Sequence, residues 1–444
     1  MIIAWLVLVA GVLLWNLKPG GGPVESAEVS SEVPTGRLVE SQTELAGRLG
    51  LGFQQMLPGF PARSQVAALA VGPPADRISH AIFIAAVANL DEGMEELDKV
   101  IASSPDDPVV EKFAPLVADV FRSAKKGERP SEQTADTLVE RFGWYGRLAV
   151  DLGDPDRLGA IERKAFTDAM WMGILIGVMV VAGVLGLVGL VVLLIFALTR
   201  ESKSRIATPR HHGVYAETFA GWLLLMLLLQ YVFAAVSPPE TGLLMSVFAF
   251  FASLVILAWP VVRGIPWAQV RADIGLEQPR WSDLPVGIAS YAMALPFLAI
   301  GVVITLVLVL VVQGLTGSSP APSHPAQQAA VGASTWQVIQ LFLLASFAAP
   351  VVEETMFRGV FLTHLCGLTR RWMQGISIVF SVLVSSIVFA AIHPQGPIFI
   401  PPLAGLAAGF CVARLWRGSL VPAMVAHGVS NALVMGLNVV LFAS

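Results

Sequence analysis

Only two cysteines occur in 444 residues, Cys366 and Cys411, and none precedes residue 366. A disulfide-stapled scaffold and a cysteine-based zinc site are thereby excluded. Charge is scarce too: 14% of the residues are charged against 55% hydrophobic, and the mean hydropathy is +0.71. Neither a soluble chain of this length nor a disordered one has that balance, so the sequence is that of an integral membrane protein. The little charge there is lies unevenly. Residues 18–168 hold 24 of the 32 acids and 16 of the 28 bases, leaving 8 acids and 12 bases elsewhere. The first part therefore reads as an acidic soluble module of net charge −8, the second as a membrane body of net charge +4. Neither has the basic face that nucleic-acid binding requires, which excludes that partner class.

A helix needs about 20 apolar residues to cross a bilayer. The first run, Ile2 to Leu17, is short, with Trp5 and Trp15 near its ends, and it lacks a basic leading segment and a small-residue cleavage site. Residues 1–17 are therefore expected to form an uncleaved signal-anchor helix, a cleaved signal peptide being the alternative. Longer runs follow at 170–198, 214–236, 241–262, 285–312, 336–352, 374–393, 397–413 and 419–442. The expected fold is all-α: a polytopic membrane helix bundle, with an eight-helix body over 169–444, the N-terminal anchor and an extramembrane helical module. Loops on one side carry Arg200, Lys203, Arg205 and Arg210, then Arg263, Arg271 and Arg280, then Arg358, Arg370 and Arg371, then Arg414 and Arg417. The alternate loops, 237–240, 313–335 and 394–396, contain no Lys or Arg. By the positive-inside rule the first set faces the cytoplasm of a multi-pass cell (inner or plasma) membrane protein, and residues 18–168 and the C-terminus lie outside it.

Residues 18–36, opening on Pro19-Gly20-Gly21-Gly22-Pro23, read as a flexible linker, and 37–168 as the extracytoplasmic helical module. Ile82, Phe83, Ala86 and Leu90 recur on one helical face, followed by Met94, Leu97 and Ile101, with Pro105 and Pro108 ending the pair. The Ala81 to Pro108 hairpin resembles a degenerate tetratricopeptide-type unit, and Glu140 to Asp156, with Trp144, Tyr145 and Gly146, is read as the start of another. Such hairpins dock peptides or proteins, so a protein partner is expected here; a small helical domain with an ordinary core is the equal alternative. The module's only histidine, His80, stands alone and offers no catalytic constellation.

Among the acids of the body, Glu353 and Glu354 alone sit at the end of a bilayer-length apolar run, in Pro350-Val351-Val352-Glu353-Glu354-Thr355-Met356-Phe357-Arg358. Ionisable groups at that depth are costly and mark functional sites by default. Glu354 and Arg358 are four apart in the order that favours pairing, so they are expected to neutralise each other. Glu353 is rotated about 100° away and needs another partner. His393, in Phe389-Ala390-Ala391-Ile392-His393-Pro394, and His427, in Ala426-His427-Gly428-Val429-Ser430-Asn431, are the candidates. Phe389 shares a face with His393, as Asn431 does with His427. Singly, each is more often a hydrogen-bonding residue or interhelical glue. His364 and the His211-His212 pair are expected to be solvent-exposed and structural.

Together these residues resemble the signature of the CPBP family, the CAAX-prenyl-protease and bacteriocin-processing (Abi-type) intramembrane proteases. That family's motifs are Glu-Glu-x-x-x-Arg, Phe-x-x-x-His and His-x-x-x-Asn, all present in order, each on its own expected helix, within 336–436. The Gly275-Leu276 step and Trp281-Ser282-Asp283-Leu284 also look like what precedes the motifs there. The resemblance implies a helical bundle opening a polar cavity toward the cytoplasm and hydrolysing peptide bonds of membrane-associated or C-terminal segments. It assigns Glu353, His393, His427 and Asn431 as catalytic, with Glu354, Arg358 and Phe389 in support. Glu353 would take a proton from water that His393 helps to hold, while His427 and Asn431 stabilise the oxyanion. No cofactor is committed. A metalloprotease using a divalent ion such as zinc, held by Glu353, His393 and His427, is the other version of the mechanism. The partners implied are a peptide or protein substrate and the lipid bilayer. A non-catalytic membrane scaffold or immunity-type binder is the alternative function. A proton-coupled transporter is disfavoured, because no inverted repeat of broken helices is visible.

Overall fold

The computed structural model describes Trp5 and residues 35–57, 59–199, 208–238, 241–277, 279–316 and 333–442, and among them there is no strand. The expected anchor, Trp5 apart, and the expected linker up to residue 34 lie outside the described residues. The chain divides into two compact units, 33–177 and the remainder.

The 33–177 unit holds α1 (Thr35–Met56), α2 (Pro74–Val87), α3 (Leu90–Ser103), α4 (Pro108–Lys125), α5 (Glu132–Asp151) and the start of α6 (Pro155–Thr199). Its helix starts are written in capping residues. The Asn89 side chain accepts from the Glu92 N–H at 2.9 Å, Asp107 from the Val109 N–H at 2.8 Å, and Ser131 from the Thr134 N–H at 3.2 Å. Pro108 opens α4 at a position where its missing N–H costs nothing; it does not end a helix as expected. Ile82, Phe83 and Leu97 are fully buried, as their periodicity predicts, and Gly93 lets α3 lie directly on Ala85 of α2. Ile101 is exposed, because Val100 takes the buried position on that face. The second expected unit does not start at Glu140: α5 is already running from Glu132 and kinks at Gly143, whose φ of 56° suits only glycine.

The remaining unit continues α6 and adds α7 (His212–Val236), α8 (Gly242–Val262), α9 (Trp267–Ile274), α10 (Asp283–Thr316), α11 (Thr335–Leu368), α12 (Gln374–Ala391), α13 (Pro397–Arg417) and α14 (Val421–Phe442). Seven of these, α6 to α8 and α10 to α13, are long and apolar enough to cross a membrane, and α14 is apolar over Val421–Leu437. Helices stand at all eight runs expected for the body, seven of them of membrane-crossing length among the described residues, and the protein is a multi-pass membrane protein. Exposed Val180, Leu185 and Val188 of α6 are the lipid-facing kind of surface. α11 overruns its expected end at 352 by sixteen residues, because Val352, Met356, Phe357, Val360 and Phe361 keep building a core with Phe219 and Trp222 of α7. α10 and α13 cross at backbone contact: a Cβ on Gly405 or Gly409 of α13 would collide with Phe297 or Ala294 of α10. That Gly-x-x-x-Gly spacing is how membrane helices gain van der Waals packing where water drives nothing.

Candidate active site

α11 does not wind uniformly. It is a π-helix over Leu344–Ala348, an α-helix over Ala349–Glu354 and a π-helix again over Thr355–Phe361. Pro350 explains the first break. The Ala349 N–H bonds to the Leu344 carbonyl, five residues back. In that register the next donor would serve the Ala345 carbonyl, but proline has no N–H to give. Asn431 of α14 supplies it instead, its Nδ2 donating to Ala345 O at 2.7 Å. One turn earlier on α14, Gly428 passes so close to the Ser346 carbonyl that an added Cβ would lie 2.7 Å from it. α14 is therefore seated on the broken turn that carries the two glutamates.

Glu354 and Arg358 form the expected pair, Nη1 to Oε1 at 2.8 Å, with both side chains fully buried. Arg358 Nη2 donates to the Ala407 carbonyl of α13 at 3.1 Å, and its guanidinium lies over the rings of Phe389 and Phe410 at 4.5 and 5.4 Å. The same Glu354 oxygen accepts from His427 Nδ1 at 2.9 Å, and the His427 ring stacks on Phe410 with 5.3 Å between centroids. Glu353, on the adjacent face, points its Oε2 between two imidazoles, 3.9 Å from His393 Nε2 and 4.0 Å from His427 Nε2. His393 Nδ1 donates to the Phe389 carbonyl at 2.7 Å, and its ring lies 4.5 Å from that of Phe389.

These contacts fix the proton positions. A backbone carbonyl and an ion-paired carboxylate only accept, so both histidines carry their proton on Nδ1 and, when neutral, turn an Nε2 lone pair toward Glu353. Three acceptors around one point call for a shared proton or a molecule that donates. Separations of 3.9 and 4.0 Å are too long for direct hydrogen bonds but suit a water about 2.8 Å from each.

The structure thus brings Glu353, His393 and His427 together, with Glu354, Arg358 and Phe389 around them. His427 reaches Glu354 as well as Glu353, and Asn431 spends one amide hydrogen on α11; neither was expected. Phe410 and the Ala407 carbonyl were also missed, since neither residue type signals chemistry. The expectation for His364 is corrected: it is fully buried, its Nδ1 2.8 Å from the His212 carbonyl and its Nε2 accepting from Trp5 Nε1 at 3.2 Å. His211 and His212 are part-buried, and His211 Nε2 lies 3.2 Å from Asp273. Asp273 is itself buried, held by the Tyr215 hydroxyl at 2.7 Å and Gln269 at 2.6 Å. Its place in the short α9, outside every apolar run, hid it. Arg358 and Arg414, both counted among the loop bases, are interior residues.

A metal ion does not fit these donors as they stand. Tetrahedral zinc with bonds of about 2.0–2.1 Å sets neighbouring donors roughly 3.4 Å apart, closer than Glu353 stands to either imidazole. Among the described residues no three His, Cys, Asp or Glu side chains are gathered as a metal site. The metalloprotease expectation therefore lacks support in the geometry.

Residues 335–433 match the family model described as Type II CAAX prenyl endopeptidase Rce1-like. The match runs from the first residue of α11 into α14 and contains all three motifs. No curated protein and no solved structure matches the chain.

Proposed function

From the Rce1-like domain that residues 335–433 carry, we propose that the protein is an intramembrane endopeptidase in which Glu353 activates water. The observation that carries this reading is the convergence of Glu353 Oε2 with two imidazole Nε2 atoms whose opposite nitrogens are both tied down. Water held among the three loses a proton to Glu353 and attacks the scissile carbonyl. The C–N bond then breaks as the proton passes to the leaving amine. In this scheme His427, held through Nδ1 by Glu354, donates to the oxyanion through Nε2 when both ring nitrogens carry a proton. The second amide hydrogen of Asn431 is the other donor in this scheme. No step uses a metal, so dialysis against a chelator is expected to leave cleavage unchanged; its loss, and return with added zinc, would contradict the reading. His393→Gln is expected to lower the cleavage rate by roughly 10²–10⁴-fold, measured on membranes holding equal amounts of each protein.

The substrate class is a peptide or protein segment at the membrane. For orientation we keep the charge pattern, with Arg370, Arg371 and Arg417 cytoplasmic and the 33–177 unit outside the cytoplasm. On that orientation His393 ends α12 at the outer side, while His427 lies only six residues into α14 from the arginine-bearing cytoplasmic end, so the site sits within the membrane thickness between the two faces. Single cysteines placed at Gly396 and Gly375, in a chain lacking Cys366 and Cys411, test it: an impermeant thiol reagent on intact cells is expected to label the first and spare the second.

A further inference from the structure

Behind the site, polar atoms continue through the bundle where a membrane protein should be apolar. Ser377, Ser381 and Ser385 recur every four residues along α12, all buried, the last two completely. Thr369 at the end of α11 meets Ser377, hydroxyl to hydroxyl, at 2.6 Å. The Ser385 hydroxyl has no hydrogen-bond partner in the protein, and that of Ser381 has only the Cys366 thiol beside it. Arg358, whose guanidinium lies on Phe389 one turn beyond Ser385, and Arg414, which interacts with the Cys366 thiol beside Ser381, each keep a buried Nε without a partner, as Glu354 does its Oε2. Four unpartnered atoms along one seam, and a fifth with only a thiol beside it, are too many to leave unsatisfied, since each costs about 1–3 kcal/mol without a partner. Their spacing suggests the partner: serines four apart on a helix stand about 6 Å apart along the axis, about two hydrogen bonds of 2.8–3.0 Å. Each gap has the length that one bridging water spans, and water is the small molecule that can both donate to serine and glutamate oxygens and accept from an arginine N–H.

We propose that the seam between α11, α12 and α13 binds a file of water molecules, running from Thr369 and Ser377 at the arginine-bearing end to the Glu354–Arg358 pair behind Glu353. It spans roughly 22 Å and gives the site a route for protons and water from the arginine-bearing side. The cysteines lie against this file, Cys366 beside Ser381 and Cys411 with its sulfur 3.9 Å from the Ser386 hydroxyl, and they serve as its reporters.

The test is radiolytic hydroxyl labelling in H2(18)O of the full chain in lipid nanodiscs, which oxidises side chains next to bound water however deeply they lie. Cys366 and Cys411 are expected to take up 18O although buried, and Ser381→Val with Ser385→Val to lower that uptake at least about fivefold by displacing the bridging waters. Exposed Met373 marks full labelling. A wild-type protein in which Met373 is labelled and both cysteines stay clean would overturn the proposal, whether or not the variant folds. So would a folded double variant with unchanged uptake. Neither readout depends on proteolysis, so the file and the endopeptidase reading fail separately.

Discussion

Arg358 does more than cancel the charge of Glu354. Its planar fork holds Glu354 with one nitrogen and the Ala407 carbonyl with the other, while its face lies on Phe389. Arg358→Ala leaves a buried carboxylate short of its cation and is expected to cost about 3–5 kcal/mol, read as loss of folded protein in a detergent melt. Arg358→Lys should rescue little, because an ammonium cannot serve both acceptors and stack. The sequence showed this pair through its spacing alone. It did not show that Asn431 repairs the carbonyl Pro350 abandons, since that needs the π register of α11, which no side-chain pattern carries. The two roles of Asn431 separate by experiment. Asn431→Ala is expected to lower stability by about 1–3 kcal/mol as well as activity, whereas a residue serving the oxyanion alone would leave the melting temperature untouched.

Helix identity was legible from hydropathy because eight apolar runs are separated by loops that carry basic residues on one side only; helix ends and contacts were less so. The α10–α13 crossing rests on Gly405 and Gly409, a signal present in the sequence and passed over. Gly409→Leu is expected to part the two helices and remove monodisperse protein from size-exclusion profiles, while Gly314→Leu, where nothing lies within 4 Å, should be silent. In the α2–α3 hairpin, burial pushes the His80 imidazole below its ordinary value of 6.5. The folded state therefore refuses a proton that the unfolded chain accepts, so the stability this brings is present above pH 6.5 and is lost as the pH falls below it. His80→Gln should flatten the pH dependence of unfolding in that range. Unchanged curves would place the titration elsewhere.

At the scale of the whole molecule, the sequence located the site through its scarcity of charge. With so few acids in the body, two adjacent glutamates in an apolar run stand out, and two histidines and an asparagine on later helices complete the set. What it could not supply was geometry: which oxygen faces which nitrogen, that Glu354 is shared between Arg358 and His427, and that His364 is interior. The direct test of the account compares protein termini by mass spectrometry in membranes carrying equal amounts of wild type and Glu353→Gln. New termini found only with wild type are the expected result. Identical termini from two equally folded proteins would contradict it and favour a non-catalytic membrane scaffold.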